Sequence, residues 1–103
     1  MGLMVKLYDE QGAPQGDSVE DPTNILHRLL QEKELTAYPM LSGIDWYGDT
    51  IFNGQQMQRF IPEWQSLSSM AKSPEEQQIV GEVLDLARRC KDGIHLFLRF
   101  VGD

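Results

Sequence analysis

The sequence predicts a single small α+β domain, in which a three- or four-stranded antiparallel or mixed sheet carries about three helices packed mainly on one face. Three observations predict this fold. The chain has 103 residues, which fits one compact domain over residues 1–103. Its apolar content of 41% is typical of a folded domain. Segments that alternate like strands lie near both ends, with helical patterns between them, so we expect the terminal strands to be neighbours.

The first third of the chain predicts a strand, a loop and a short helix. Alternating apolar and polar residues predict the strand over residues 4–8. Residues 9–20 combine Gly, Pro and acidic side chains without periodicity, which predicts a loop. Asp21 followed by Pro22 is typical of an N-cap and the first helical residue. The expected helix has one apolar stripe and ends in the polar residues 31–34; the stripe is formed by Ile25, Leu26, Leu29 and Leu30.

The middle of the chain predicts strand structure and then a helix. Aromatic and β-branched residues among glycines favour a strand near 40–47, a turn at 47–49 and a short second strand at 50–52. Asn53 and Gln56 have the spacing of a capping box. The helix that follows has its apolar stripe at Met57, Phe60, Ile61, Trp64 and Leu67. Because Pro62 lies inside this stripe, the segment is either one kinked helix or two helices.

The last third predicts a long helix and a final strand. Ser73, Pro74 and Glu76 form the strongest capping signal in the chain, and the helix should reach about Lys91. Gly93 is expected to end it in the left-handed conformation. The alternation over residues 94–101 predicts a strand whose inner face includes Ile94, Leu96, Leu98 and Phe100.

The net charge of −7 is unevenly distributed. Residues 1–52 hold nine acidic and three basic side chains, a balance of −6, whereas residues 53–103 have a balance of −1. Such acidity repels phosphate backbones and anionic lipid, which excludes nucleic acid and membrane surfaces as partners. A protein partner, chosen by charge, would be basic and would meet the first half. One cysteine and the lack of a secretory signal predict a cytoplasmic protein.

Common catalytic and metal-binding patterns are missing from the sequence, so we expect no enzyme activity, cofactor or metal. Cys90 lies on the apolar stripe of a predicted helix, where core packing explains it better than nucleophilic catalysis with His95 as its base. Residues 9–20 have the length of a calcium loop but lack its inner ligands and glycine. Asp45 and Asp49 could serve as paired carboxylates, although two aspartates at a turn are more often turn formers.

An interaction surface is the remaining interpretation. Large aromatic side chains lie among acids in one loop-like segment, as they do in many interfaces. The candidate partner-binding residues are Asp45, Trp46, Tyr47, Asp49 and Phe52. The competing interpretation is that Trp46 and Phe52 simply belong to the core.

Residues 49–56, 60–64 and 96–103 together resemble small bacterial proteins, some of which accompany secreted toxins as immunity proteins. The resemblance implies a stand-alone, non-enzymatic cytoplasmic protein. The leading hypothesis is therefore an acidic binding module of the bacterial cytoplasm, in its specific form an immunity-type inhibitor of a basic toxin. Two alternatives stay open: a small enzyme or ligand-binding domain that uses residues 45–52, and a homodimeric structural or regulatory subunit that associates through Trp46 and Phe97.

Overall fold

The computed structural model describes residues 2–31 and 35–102, which form a four-stranded antiparallel sheet with helices packed against one face. The strands are β1 (Leu3–Asp9), β2 (Pro14–Asp21), β3 (Asp49–Asn53) and β4 (Leu96–Val101). The helices are α1 (Ile25–Gln31), α2 (Pro39–Ser42), α3 (Met57–Ser68) and α4 (Pro74–Asp92), with a 3₁₀ turn at Leu35–Ala37. The predicted α+β class is confirmed.

The strand order is β2-β1-β4-β3, so the first and last strands pair in the middle of the sheet. Met4 lies opposite Val101 and Tyr8 opposite Phe97. The prediction that the terminal strands are neighbours is therefore confirmed. Strands β2 and β3 form the two edges.

The core lies between the inner face of the sheet and helices α3 and α4. Phe60 and Trp64 of α3 are fully buried and stack with ring centroids 5.4 Å apart. Phe100 of β4 contacts both rings. The indole N–H of Trp64 donates a hydrogen bond of 2.9 Å to the carbonyl oxygen of Val80, so the one polar atom of the Trp64 side chain is satisfied inside the core.

Both capping signals of the long helices form the expected contacts. Ser73 Oγ accepts the Glu76 N–H, and the Glu76 carboxylate accepts the Ser73 N–H, which is the reciprocal capping box. Asn53 and Gln56 exchange the same pair of hydrogen bonds, although the turn that they close precedes α3, which begins at Met57. Helix α3 runs through Pro62 as one helix.

The predicted loop over residues 9–20 is wrong, because most of it is strand β2. Asp9 Oδ1 accepts the N–H groups of Gln11 and Ala13, both at 2.9 Å, and so closes a tight hairpin turn. The segment has no strand-like pattern in the sequence because β2 is a polar edge strand whose pairing with β1 is interrupted by an irregularity. Val19 is its only buried apolar residue.

Helix α1 begins at Ile25, three residues later than Pro22 at the predicted start. Asn24 adopts a left-handed φ of 60°, which delays the helix. Asp21 nevertheless caps it, since its buried carboxylate accepts the N–H groups of Ile25 and Leu26. Part of the predicted polar end, residues 32–34, lies outside the described residues.

The strand predicted near 40–47 is also wrong. Helix α2 and a loop occupy this segment. Pro39 is the first residue of α2, and the Glu63 carboxylate accepts the N–H groups of Met40 and Leu41 at 3.0 and 3.2 Å, so a distant side chain stabilises the helical turn. The short second strand predicted at 50–52 is confirmed within β3.

The connection from α4 to β4 differs from the prediction in two details. Gly93 is extended, with φ −83°, and the left-handed residue is His95, with φ 57°. Strand β4 therefore begins only at Leu96. Ile94 is 82% exposed and does not belong to the inner face.

Candidate functional site

The outer face of the sheet is not covered by any helix among the described residues. In β1 the inward residues Leu3, Val5 and Leu7 are buried, whereas the residues between them are partly exposed. The same alternation holds in β4. We call this outer surface the open face; its central residues are Met4, Lys6, Tyr8, Asp49, Ile51, Asn53, Phe97, Arg99 and Val101.

Strand register arranges the open face in three rows. Tyr8 lies opposite Phe97 in the first row, and Met4 lies opposite Val101 in the third. The middle row holds Lys6, Arg99 and, on the edge strand, Ile51. Since directly opposed side chains on one face are in contact distance, the apolar pairs of β1 and β4 flank a cationic pair, and the edge strand β3 adds Asn53 and Asp49 to the two outer rows.

Arg99 of β4 contacts side chains of both neighbouring strands on the open face. Its guanidinium forms an ion pair with the Asp49 carboxylate and lies 5.1 Å from the centre of the Tyr8 ring. The hydrogen bond to Asp49 raises the pKa of Arg99 above its ordinary value. Lys6, directly opposite, forms no ion pair within the described part of the chain. One cation of the pair is thus neutralised by Asp49.

A shallow hollow of about 220 Å³ opens between the apolar row and the β1–β2 turn. Tyr8, Ile51 and Phe97 supply its apolar wall, and Asp9 and Glu10 lie at its rim. The volume is below the range of about 300–1,000 Å³ that is usual for small-molecule pockets. The hollow is suited to the side chain of a protein partner.

A larger polar cleft of about 660 Å³ lies beside the start of β4. Asn53, Lys91 and His95 are among the residues that line it. His95 Nδ1 is 3.3 Å from the Glu10 carboxylate, and both side chains are exposed. The residues that line this cleft include no Ser, Thr or Cys, so it does not place a hydroxyl or thiol nucleophile beside His95.

The loop between α2 and β3 is held by backbone contacts. Asp45 Oδ1 accepts the Tyr47 N–H at 2.9 Å, and the Asp45 N–H donates to Thr50 Oγ1 at 2.8 Å. Gly48 accepts a hydrogen bond of 2.6 Å from the N–H of Gly102, just beyond β4. A Cβ at Gly102 would lie 2.5 Å from the Gly48 oxygen, so only glycine allows this approach. Asp45 is therefore a turn former.

The loop presents two aromatic side chains differently. Trp46 is half-buried and stacks on His27 of α1, with ring centroids 4.6 Å apart and planes inclined by 20°. Tyr47 is 79% exposed and contributes no core contact. Trp46 thus anchors the loop, and Tyr47 projects from it.

The structure separates the five predicted partner-binding residues, Asp45, Trp46, Tyr47, Asp49 and Phe52. Tyr47 is exposed, and Asp49 belongs to the open face. Phe52 is buried and contacts Phe60 and Phe100, so its side chain cannot meet a partner; strand alternation in β3 directs it inward.

The sequence interpretation missed Tyr8, Ile51, Phe97 and Arg99 as surface residues of one site. The alternation in β1 and β4 placed Tyr8 and Phe97 on the outer faces of their strands. Antiparallel pairing of the two terminal strands would then have placed them together.

Two catalytic alternatives receive no geometric support. Asp45 closes a turn and Asp49 pairs with Arg99, so both carboxylates are engaged in structural contacts. Cys90 is buried, and its Sγ lies 3.5 Å from the Leu96 carbonyl oxygen. Burial raises the pKa of the Cys90 thiol to about 11, which keeps the thiol protonated and unreactive.

The described part of the chain contains neither a metal-binding cluster nor a membrane-spanning helix. In residues 2–31 and 35–102, no three His, Cys, Asp or Glu side chains are grouped so as to hold a metal ion. No helix in these ranges combines the length and the apolar character needed to cross a bilayer.

These features define a small α+β domain with an uncovered, partly apolar sheet face. Comparisons of the chain with protein-family models, with curated proteins and with solved structures find no match. Its function must therefore be argued from geometry and charge.

Proposed function

We propose that this protein is a non-enzymatic acidic binding module that docks a basic partner protein on the open face of its sheet. The observation that carries the proposal is the uncovered face itself. Two rows of apolar side chains, including Tyr8 and Phe97, remain accessible on a sheet whose other side is fully packed. Antiparallel sheets often expose one face, but that face is normally polar, and an accessible apolar patch marks an interaction site.

The charges around the open face favour a basic partner. Asp9 and Glu10 lie at the end formed by the β1–β2 turn, and Glu20 lies opposite Met4 at the other end. Arg99 is already paired with Asp49, and the three acids at the two ends outnumber Lys6, the remaining cation of the open face among the described residues. With a net charge of −7, the protein attracts a cationic protein from a distance, and the apolar rows then supply contact area.

In its specific form, the proposal is an immunity-type inhibitor of a basic toxin in the bacterial cytoplasm. Proteins that must bind anionic substrates, such as nucleases, carry positive grooves. An acidic module with an apolar centre can occupy such a groove and exclude the substrate. The charge balance supports this form, as does the resemblance of residues 49–56, 60–64 and 96–103 to small bacterial proteins, some of which are immunity proteins.

The test compares capture by matched surface variants. Wild type, Tyr8→Ser and Phe97→Ser are immobilised, and bacterial lysate is applied at low salt and eluted with a salt gradient. Ile94→Ser is the control, because Ile94 is equally apolar and 82% exposed but lies outside the sheet. Circular dichroism checks that each variant is folded.

We expect wild type and Ile94→Ser to retain the same basic protein, and both open-face variants to lose it or release it at lower salt. Capture that is equal for all four proteins would contradict the proposed face. Elution of acidic proteins, or retention that does not depend on salt, would contradict the basic partner. Tyr47→Ser, tested in parallel, shows whether the interface extends to the loop.

A further inference from the structure

We propose that two copies of this protein associate through the free edge of β3 and form one continuous eight-stranded sheet. The partner in this interaction is a second copy of the chain, which adds its own β3 antiparallel to the first. This inference goes beyond the proposed function, since it concerns an edge of the sheet and a different occupant.

Backbone hydrogen bonds identify which groups face the free edge. The N–H of Gly102 donates to the carbonyl of Gly48, and the N–H of Asn53 donates to the Gln56 side chain instead of to β4. In an antiparallel ladder, alternate residues bond to the same neighbour. The even-numbered residues of β3 therefore bond to β4, and the backbone groups of Asp49 and Ile51 point away from the sheet.

These outward groups have no backbone partner in the described part of the chain. The Asp49 and Ile51 N–H groups and the carbonyls of both residues are thus free to pair with another strand. The Ile51 side chain beside them is 56% exposed. An edge with unpaired backbone groups and an apolar side chain is a template for strand addition.

The opposite edge of the sheet is protected in ways that β3 is not. Strand β2 begins with Pro14, carries exposed Asp17 and Glu20, and pairs irregularly with β1. Proline, charge and bulges are the devices that prevent edge-to-edge pairing. Strand β3 has only Asp49 as a charge, and Arg99 neutralises it. Self-association is therefore expected at β3 alone.

The β3 sequence is complementary to itself about a two-fold axis at Ile51. In this register Ile51 pairs with Ile51 of the second copy, and Asp49 faces Asn53 of the second copy, so no acid opposes an acid. Gly48 and Gly54 flank the strand and add no side chain that would block the approach. The register also uses the outward Ile51 and Asp49 N–H groups as donors to the second copy.

The assembly has a geometric consequence. Strand addition keeps the faces of the two sheets aligned, so both open faces lie on the same side of one eight-stranded sheet. The dimer then presents twice the apolar area to a partner.

Sedimentation velocity of the isolated protein over a range of concentrations tests the proposal. Wild type should shift from 11.8 kDa to twice that mass as concentration rises. Ile51→Pro removes one outward N–H but no β4 hydrogen bond, so the monomer should fold and the dimer should be lost. Ile51→Lys places two like charges at the axis and should also give a monomer. Ile51→Val, which keeps shape and N–H, should dimerise.

Two controls separate this edge from other surfaces. Ser18→Lys adds the same charge to the opposite edge strand, β2, and should leave dimerisation unchanged. Phe97→Ser alters the open face on the neighbouring strand β4 and leaves the outward backbone groups of Asp49 and Ile51 unchanged, so this variant should still dimerise. Wild type that stays monomeric up to millimolar concentration would overturn the proposal. So would a dimer that survives Ile51→Pro but is lost in Phe97→Ser. Because no basic partner is present, the result is independent of the proposed function.

Discussion

The buried carboxylate of Asp21 provides the sharpest test of how α1 is held. Asp21 is 1% exposed, and its two oxygens accept the N–H groups of Ile25 and Leu26, both at 2.8 Å. These N–H groups belong to the first turn of α1, where no intrahelical acceptor exists. Asp21→Ala would leave both donors buried without a partner.

The expected cost follows from these two contacts. A hydrogen bond to a charged group contributes about 1.5–3 kcal/mol, so losing both should reduce the free energy of unfolding by at least about 3 kcal/mol. Domains of about 100 residues lose roughly 4–8 °C of Tm for each kcal/mol, which predicts a fall of roughly 12–24 °C. Asp21→Asn retains one acceptor oxygen and should cost about half as much.

Urea and thermal unfolding followed by circular dichroism measure both effects. Asp17→Ala is the matched control, because Asp17 is an exposed acid on the same strand, and its loss should stay within about 0.5 kcal/mol. If Asp21→Ala lost no more than Asp17→Ala, the carboxylate would not be the group that satisfies the helix start. The capping argument would then be wrong.

Four further predictions concern α4, the core thiol and the loop anchor. Ser73→Ala should destabilise the protein by about 1 kcal/mol in urea unfolding, because it removes the N-cap acceptor. Hydrogen bonds from the Ser73 and Lys72 N–H groups lower the pKa of Glu76 below 4.5. The ionised Glu76 carboxylate therefore stabilises the folded protein fully above pH 4.5, and this contribution disappears as the pH falls through the lowered pKa. Glu76→Gln should flatten this dependence of stability on pH, and an unchanged slope would contradict the assignment. Cys90 should resist a thiol reagent at neutral pH until denaturant is added; rapid labelling of the native protein would show that the thiol is accessible. His27→Ala should shift fluorescence emission to longer wavelength by exposing Trp46, and the shift should vanish when Trp46→Phe is combined with it.

Local capping chemistry made α4 predictable from the sequence. The start of this helix is determined by Ser73, Pro74 and Glu76, which contact one another within four residues. A short stretch of sequence is therefore enough to predict it. Helix α2 shows the opposite case. The Glu63 carboxylate that accepts the N–H groups of α2 lies more than twenty residues away in the sequence. The residues near 40–47 give no indication of this contact, so the helix could not be predicted from them.

Strand β2 and the open face were missed for a related reason. An edge strand buries few side chains, and Val19 alone gave no periodic signal over residues 14–21. The alternation in β1 and in β4 predicts which residues of each strand point outward. That these residues lie side by side on one surface depends on the pairing of β1 with β4. The sequence pattern therefore left open whether Phe52 belongs to the core or to an interface, and the structure places it in the core, whereas Tyr47 and Asp49 of the same candidate set lie at the surface.

The pairing of β1 with β4 also governs how the molecule forms. Met4 and Val101 meet across nearly the whole chain, so the centre of the sheet closes only after a very long loop has been ordered. Contacts so distant in sequence slow folding relative to a helical protein of the same size. During synthesis β1 and β2 can pair early, yet the edge of β1 that bonds to β4 stays unpaired until β4 is available. A chaperone that binds unpaired strands should therefore hold the chain until β4 pairs with β1.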